Sequence, residues 1–444
     1  MNARVAALAL LASLVAGGCD PEPFASVRLR VRQPENNDTR TLDERCHGSE
    51  AVCLQLSRSL DGAEAERVWF TNDFRGPTAP LPLGSEEHEL EVEVFTGAAT
   101  EPELLGRADP MRIPAIDPEG SDVEITRPVV LATRDRVEPL FESTPGAEAN
   151  GAACGDEAGN AWFLGATPVA FSTEDLQPRP LAALDVPAGA SLSCAAMSEL
   201  PQGVDDALDA RGAVPGRFYA FVGECGTGGG MLHAGSDAVD DSEAVMLGNG
   251  CDALLAMRGD LLWVVQGDVV TVHDRGTLER LGASAMFTPP SPPRTSAIVL
   301  DDGSLLVAEP AGGTTRYSVA GNVINSANGR NLDVARFVMK GGVAFALTTA
   351  KVLVNLDDAG EASTTALLPD VNDILDVGVL RNGTLVVLGG DGVAVEGAPA
   401  AVATLSGRNR TALTVTVGGA VLLWGGAGGV DVLVPSTPGV LAAR

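Results

Sequence analysis

The apolar positions of this chain change their period partway along. Between residues 24 and about 132 they alternate with charge: Val27, Leu29 and Val31 with Arg28, Arg30 and Arg32, then Leu90, Val92 and Val94 with Glu89, Glu91 and Glu93. Val52, Leu54 and Leu56 keep the same step of two, as do Val123 and Ile125. A period of two puts one face of a strand on a core and the other in water. Turn formers separate the runs: Pro34-Glu35-Asn36-Asn37, Asp61-Gly62, Gly76-Pro77 and Pro118-Glu119-Gly120. Residues 19–132 therefore predict a β-sandwich of immunoglobulin-like size. If the arginine and glutamate strands are neighbours, their charged faces form a ladder. Each exposed pair would contribute ~0.2–1 kcal/mol, and the ladder would also hold the register.

From about residue 150 the strands are apolar throughout and lie between tight turns. Hairpins open at Asn160, Gly216, Gly259, Gly303, Gly342, Gly383 and Gly419, separated by 56, 43, 44, 39, 41 and 36 residues. Repeats near forty residues, each with a hairpin, predict a β-propeller over 150–444, with seven blades. The long first gap holds an insertion at 201–216. Several units carry a further apolar strand ahead of the hairpin: Ser296 to Leu300, Val334 to Met339, Val377 to Leu380 and Ala412 to Val417. That strand is expected to line the central channel. Asp301-Asp302-Gly303, Asn382-Gly383 and Gly418-Gly419 supply the positive φ that tight hairpins need. The last unit has only three strands, and residues 136–142 of the linker 133–149 are the candidate fourth.

Two stretches, RTSAIVLDDGSLLVAEP at 294–310 and RNRTALTVTVGGAVLLWGGAGGVDVLVP at 408–435, resemble kelch-type blades. Such blades start with an arginine before the first strand and carry paired glycines after the second, here Gly425-Gly426 and, one blade earlier, Gly389-Gly390. Some kelch-like propellers are copper radical oxidases, a resemblance that implies two tyrosines, a cysteine and two histidines at one metal. Tyr219 and Tyr317 read as lying on middle or outer strands, and only His233 and His273 stand in the propeller. No metal or other cofactor is expected.

Residues 1–18 read as a bacterial export signal: Arg4, an apolar stretch from Val5 to Val15, then Ala16-Gly17-Gly18 before Cys19. This resembles the lipobox of bacterial lipoproteins, which implies acylation of Cys19 and a membrane anchor in the cell envelope, on its periplasmic or outer-surface face. Cys46, Cys53, Cys154, Cys194, Cys225 and Cys251 remain. An even count in an oxidising compartment favours disulfides. Of the 15 connectivities open to six cysteines, the expected one is Cys46–Cys53, Cys154–Cys194 and Cys225–Cys251. Cys46-His47 has no second Cys/His cluster to complete a metal site.

Composition narrows the functions. Acids outnumber bases 59 to 30, for a net charge of -29, which repels phosphate and argues against nucleic acid as a partner. Aspartates at 205–206, 240–241, 357–358 and 370/373 offer oxygen ligands for calcium but lack EF-hand spacing, and read as solvated loop acids. Gly226 to Gly230 reads as a hairpin loop rather than a phosphate cradle. His47, His88, His233 and His273 stand singly, while Trp69, Trp162, Trp263 and Trp424 sit in apolar runs as packing residues. The chain holds no recognisable catalytic motif. The reading is a lipid-anchored scaffold whose propeller binds protein or glycan without catalysis. The alternative is a polysaccharide hydrolase or lyase at the propeller mouth, which converging axial acids with raised pKa would favour.

Overall fold

The computed structural model describes the strands between Phe24 and Leu131 as backbone. It describes residues 135–141 and 151–435, largely with side chains, apart from connecting segments of which 199–215 is the longest.

Eight strands between Phe24 and Leu131 form one hydrogen-bonded sheet. Its order runs Glu66–Thr71, Leu54–Ser59, His88–Thr96, Glu103–Ala108, Val123–Leu131, Phe24–Arg32 and Thr78–Pro82, with Met111–Ile113 also paired to His88–Thr96. The alternating runs are strands. Their order differs from the expected ladder: two strands separate the arginine strand from the glutamate strand. Phe24–Arg32 runs parallel to Val123–Leu131, so the first strand sits beside the last, an arrangement that side-chain alternation does not encode. Glu93 falls opposite Arg107, and Glu89 opposite Arg112. How the sheet layers pack, and hence the sandwich, rests on side chains outside the described residues.

The remainder is a β-propeller of seven four-stranded sheets. The first strands of blades 1 to 7 are Ala152–Gly155, Ser191–Ser198, Leu254–Arg258, Ala297–Val299, Val334–Lys340, Ile374–Val379 and Ala412–Val415. Each adjoins the first strand of the next blade, and Ala412–Val415 adjoins Ala152–Gly155, which closes the ring. Glu138–Phe141 supplies the fourth strand of blade 7, antiparallel to Val430–Leu433. One blade is thus built from both sides of the repeat region.

The core is a ring of seven clusters, each shared by two adjacent blades. Successive residues of a second strand serve opposite neighbours. Leu262 and Val264 pack towards blade 2, whereas Trp263 and Val265 pack towards blade 4. Leu385 and Val387 face blade 5, and Val386 and Leu388 face blade 7. A strand buried on both faces has no polar side to display, which explains the unbroken apolar runs. Gly303, Gly383 and Gly419 take φ of 78, 81 and 83°. Their amides donate to the carbonyls of Leu300, Leu380 and Thr416 at 2.9, 2.8 and 2.9 Å, giving three copies of one hairpin turn. At the closure between blades 1 and 7, Gly155 faces Thr414 so closely that a Cβ would overlap that side chain.

Candidate functional site: the axial channel

Six of the seven first strands enclose a cavity of about 660 Å³ on the propeller axis. Blades 2, 3 and 5 give it an apolar wall that includes Ala196, Leu255, Met257, Phe337 and Met339. Blades 6, 7 and 1 give it a wall carrying Asp376, Thr414, Thr416 and Asp156. Among the described lining residues there are two carboxyls and no Lys, Arg or His.

Local hydrogen bonds set Asp156, Thr416 and Asp376. Asp156 accepts from the backbone N–H and the Nδ2 of Asn160, both at 2.8 Å, which closes the first hairpin of blade 1. The Thr416 hydroxyl accepts from the Ala420 amide at 3.2 Å, in the equivalent hairpin of blade 7. Asp376 follows a β-bulge in Ile374–Val379, an irregularity that re-aims a side chain. Its Oδ1 accepts from the Val377 amide at 2.9 Å and its Oδ2 from the Leu413 amide of blade 7 at 2.8 Å. Burial pushes this carboxyl above the usual range, opposed by those two amides and by the nearby Arg336.

Asp376 belongs to a series. Ser296 of blade 4 accepts from the Phe337 amide of blade 5 at 2.9 Å through its Oγ. Arg336 of blade 5 also follows a bulge, and donates to the Leu375 carbonyl of blade 6 at 2.5 Å. Three successive blades therefore latch onto the backbone of the next at one level of the inner ring. Between blades 1 and 2 the link is covalent: Cys154 and Cys194, one of the three expected pairs, form a disulfide with Cα atoms 5.5 Å apart. Cys46, Cys53, Cys225 and Cys251, with the lipidation candidate Cys19, lie outside the described residues.

Charges are also paired at the ends of the first strands. Arg258 forms an ion pair with Asp301 and donates to Met339 Sδ at 3.7 Å. Lys340 meets the two oxygens of Glu396 at 3.0 and 2.7 Å. Asp431, fully buried on the third strand of blade 7, is paired with Arg408 and, at 2.7 Å, with Arg410 Nε. Arg410 precedes the first strand and donates through Nη1 to the Gly425 carbonyl at 2.8 Å. Gly425 has a φ of 96°, and a Cβ there would overlap Thr411, so both conformation and space require glycine.

The other chemistry-bearing residues are dispersed. Tyr219 and Tyr317 lie on second and third strands of different blades, and Tyr219 donates to the Arg275 carbonyl at 3.2 Å. His233 and His273 lie on third strands of blades 2 and 3, where burial lowers both imidazole pKa values. His273 is held between Thr271 Oγ1 and the Leu278 carbonyl, each at 3.0 Å. Trp162, Trp263 and Trp424 are buried between blades, and Trp263 Nε1 donates to the Gly303 carbonyl of blade 4 at 3.2 Å. Trp69 lies on the strand Glu66–Thr71, its side chain outside the described residues. His47 and the aspartates at 205–206, 240–241, 357–358 and 370 are not described; His88 is described only as strand backbone, and Asp373 has φ 45°. Gly229 and Gly230 open the strand after the glycine-rich loop. Sequence reasoning missed Asp376, Asp156 and Asp431. Their signal is a lone acid in, or just after, an apolar inner or middle strand, as in ILDVGV and VDVL.

No protein-family model matches the chain, and no curated protein matches it by sequence. Among solved structures, the WD40 β-propeller domain of Doa1 is 12% identical with a TM-score of 0.44, over 68% of this chain and 97% of that one. The virginiamycin B lyase of Staphylococcus aureus is 7% identical with a TM-score of 0.47, over 67% of this chain and 98% of that one. The extracellular domain of the one-component system BT4673 from B. thetaiotaomicron is 13% identical with a TM-score of 0.45; the match covers 67% of this chain but only 39% of that one. At such scores the fold of this chain rests on its own seven sheets, and no ligand or activity passes to it from these proteins.

Proposed function

We propose that the protein is a binding scaffold of the bacterial cell envelope, anchored by lipid at Cys19, whose propeller presents loops to a protein or glycan partner. The observation that carries this reading is the way the axial acids are used: Asp156 and Asp376 each accept hydrogen bonds within the fold through both carboxylate oxygens. A hydrolase needs one carboxyl poised on a substrate and a second on water or the sugar. The polysaccharide-enzyme reading keeps one specific support, the raised pKa of Asp376 on the channel wall. The kelch-type reading is supported by Arg410, which precedes the first strand of its blade and reaches the Gly425 carbonyl. Two measurements on the full chain test the proposal. Palmitate labelling in a bacterial host is expected to be lost in Cys19→Ser, and label retained in that variant contradicts the anchor. Incubation with a panel of envelope polysaccharides and peptides is expected to give binding without new reducing ends or unsaturated sugars; turnover of any glycan contradicts the scaffold.

A further inference from the structure

We propose that the axial channel binds a small organic ammonium ion, its apolar body lying on the wall of blades 2, 3 and 5 and its cationic nitrogen meeting Asp376. The inference does not depend on what the propeller loops bind.

Size comes first. About 660 Å³ falls within the roughly 300–1,000 Å³ typical of small-molecule pockets. Such pockets are mostly apolar, with a few polar groups that orient the ligand. Leu255, Met257, Phe337 and Met339 make one side wholly apolar, whereas the other side mixes Val377, Val379, Leu413 and Val415 with the carboxyls of Asp376 and Asp156. An apolar molecule with one polar end matches that division better than a sugar, which is polar all round.

Charge selects the polar end. No described residue lining the cavity is basic, and its two carboxyls would repel an anion. The Arg336 guanidinium acts on Asp376 from an adjoining strand, and it donates to the Ala335 and Leu375 carbonyls at 2.8 and 2.5 Å. The other adjoining first strand, Ala412–Val415, carries no charge. Each Asp376 oxygen accepts one backbone amide, and a carboxylate oxygen has capacity for a second donor. A cation is the ligand that best compensates a carboxylate held away from water, because charge-assisted hydrogen bonds strengthen as water is excluded.

The test is calorimetric titration of the full chain at neutral pH with 2-phenylethylammonium and with its neutral analogue 2-phenylethanol. The ammonium is expected to bind about tenfold more tightly, a factor typical of one charge-assisted hydrogen bond. In Asp376→Asn that preference is expected to vanish while weak binding of the alcohol persists. Ala196→Trp, which fills the channel from the apolar side, is expected to remove binding of both compounds, and it decides the matter if Asp376→Asn does not fold. Equal affinity for the two probes, no binding of either, a preference that survives Asp376→Asn, or binding undiminished by Ala196→Trp would each overturn the proposal.

Discussion

Asp376 and Asp431 show two ways of holding an acid inside an apolar ring. Asp376 has backbone amides as its close donors, and its pKa is raised. A carboxyl whose folded-state pKa exceeds its unfolded value binds its proton more tightly in the native state. Its contribution to stability is complete below the unfolded value and is lost as pH rises through the folded one. Denaturant unfolding of the wild type should therefore show stability falling as pH rises above the ordinary aspartate value, and Asp376→Asn should flatten that decline. A parallel profile in the variant would assign the pH dependence to other groups. Asp431 is compensated by two guanidiniums. Removing one member of a buried ion pair costs about 3–5 kcal/mol, because the partner stays desolvated. Asp431→Asn should lose stability on that scale in urea unfolding, since Arg410 is only 8% exposed and has little access to water. A loss within experimental error would mean that the pair is dispensable.

Elements were legible wherever burial leaves a periodic trace. The arginine and glutamate strands, the hairpins at Gly303, Gly383 and Gly419, and the apolar second strands such as VLLW all stand where pattern and turn chemistry put them. Partner choice was less legible. Alternation tells which face of Phe24–Arg32 is polar, but its neighbours are set by a parallel pairing with Val123–Leu131, a contact remote in sequence. The bulges ahead of Arg336 and Asp376 left no recognisable sequence signal, and so the latch between inner strands went unread. The bond between Cys154 and Cys194 adds a covalent link between two of those strands, across 40 residues of sequence. Chain-entropy arguments put such a cross-link at about 4 kcal/mol. The Cys154→Ser, Cys194→Ser double variant should unfold at correspondingly lower denaturant; an unchanged midpoint would show that packing alone sets the spacing of blades 1 and 2.

At the scale of the whole molecule, the propeller has no single centre. Its apolar surface is divided among seven interfaces, and the axis is left as a cavity. A ring of this kind depends on closure, because an open one would expose the outward faces of blades 1 and 7. Leu140, Phe163 and Trp424 share the cluster at that seam, the two rings 4.8 Å apart at 71°. The strand Glu138–Phe141 completes blade 7 from a position almost 300 residues earlier in the chain, so the two ends of the repeat region stabilise one another. Hydrogen exchange read by mass spectrometry on peptides covering 136–142 and 430–434 tests this closure directly. The ring predicts that amides in the two segments are protected together and lose protection together as denaturant is added. Rapid exchange at 136–142 while 430–434 remains protected would contradict it.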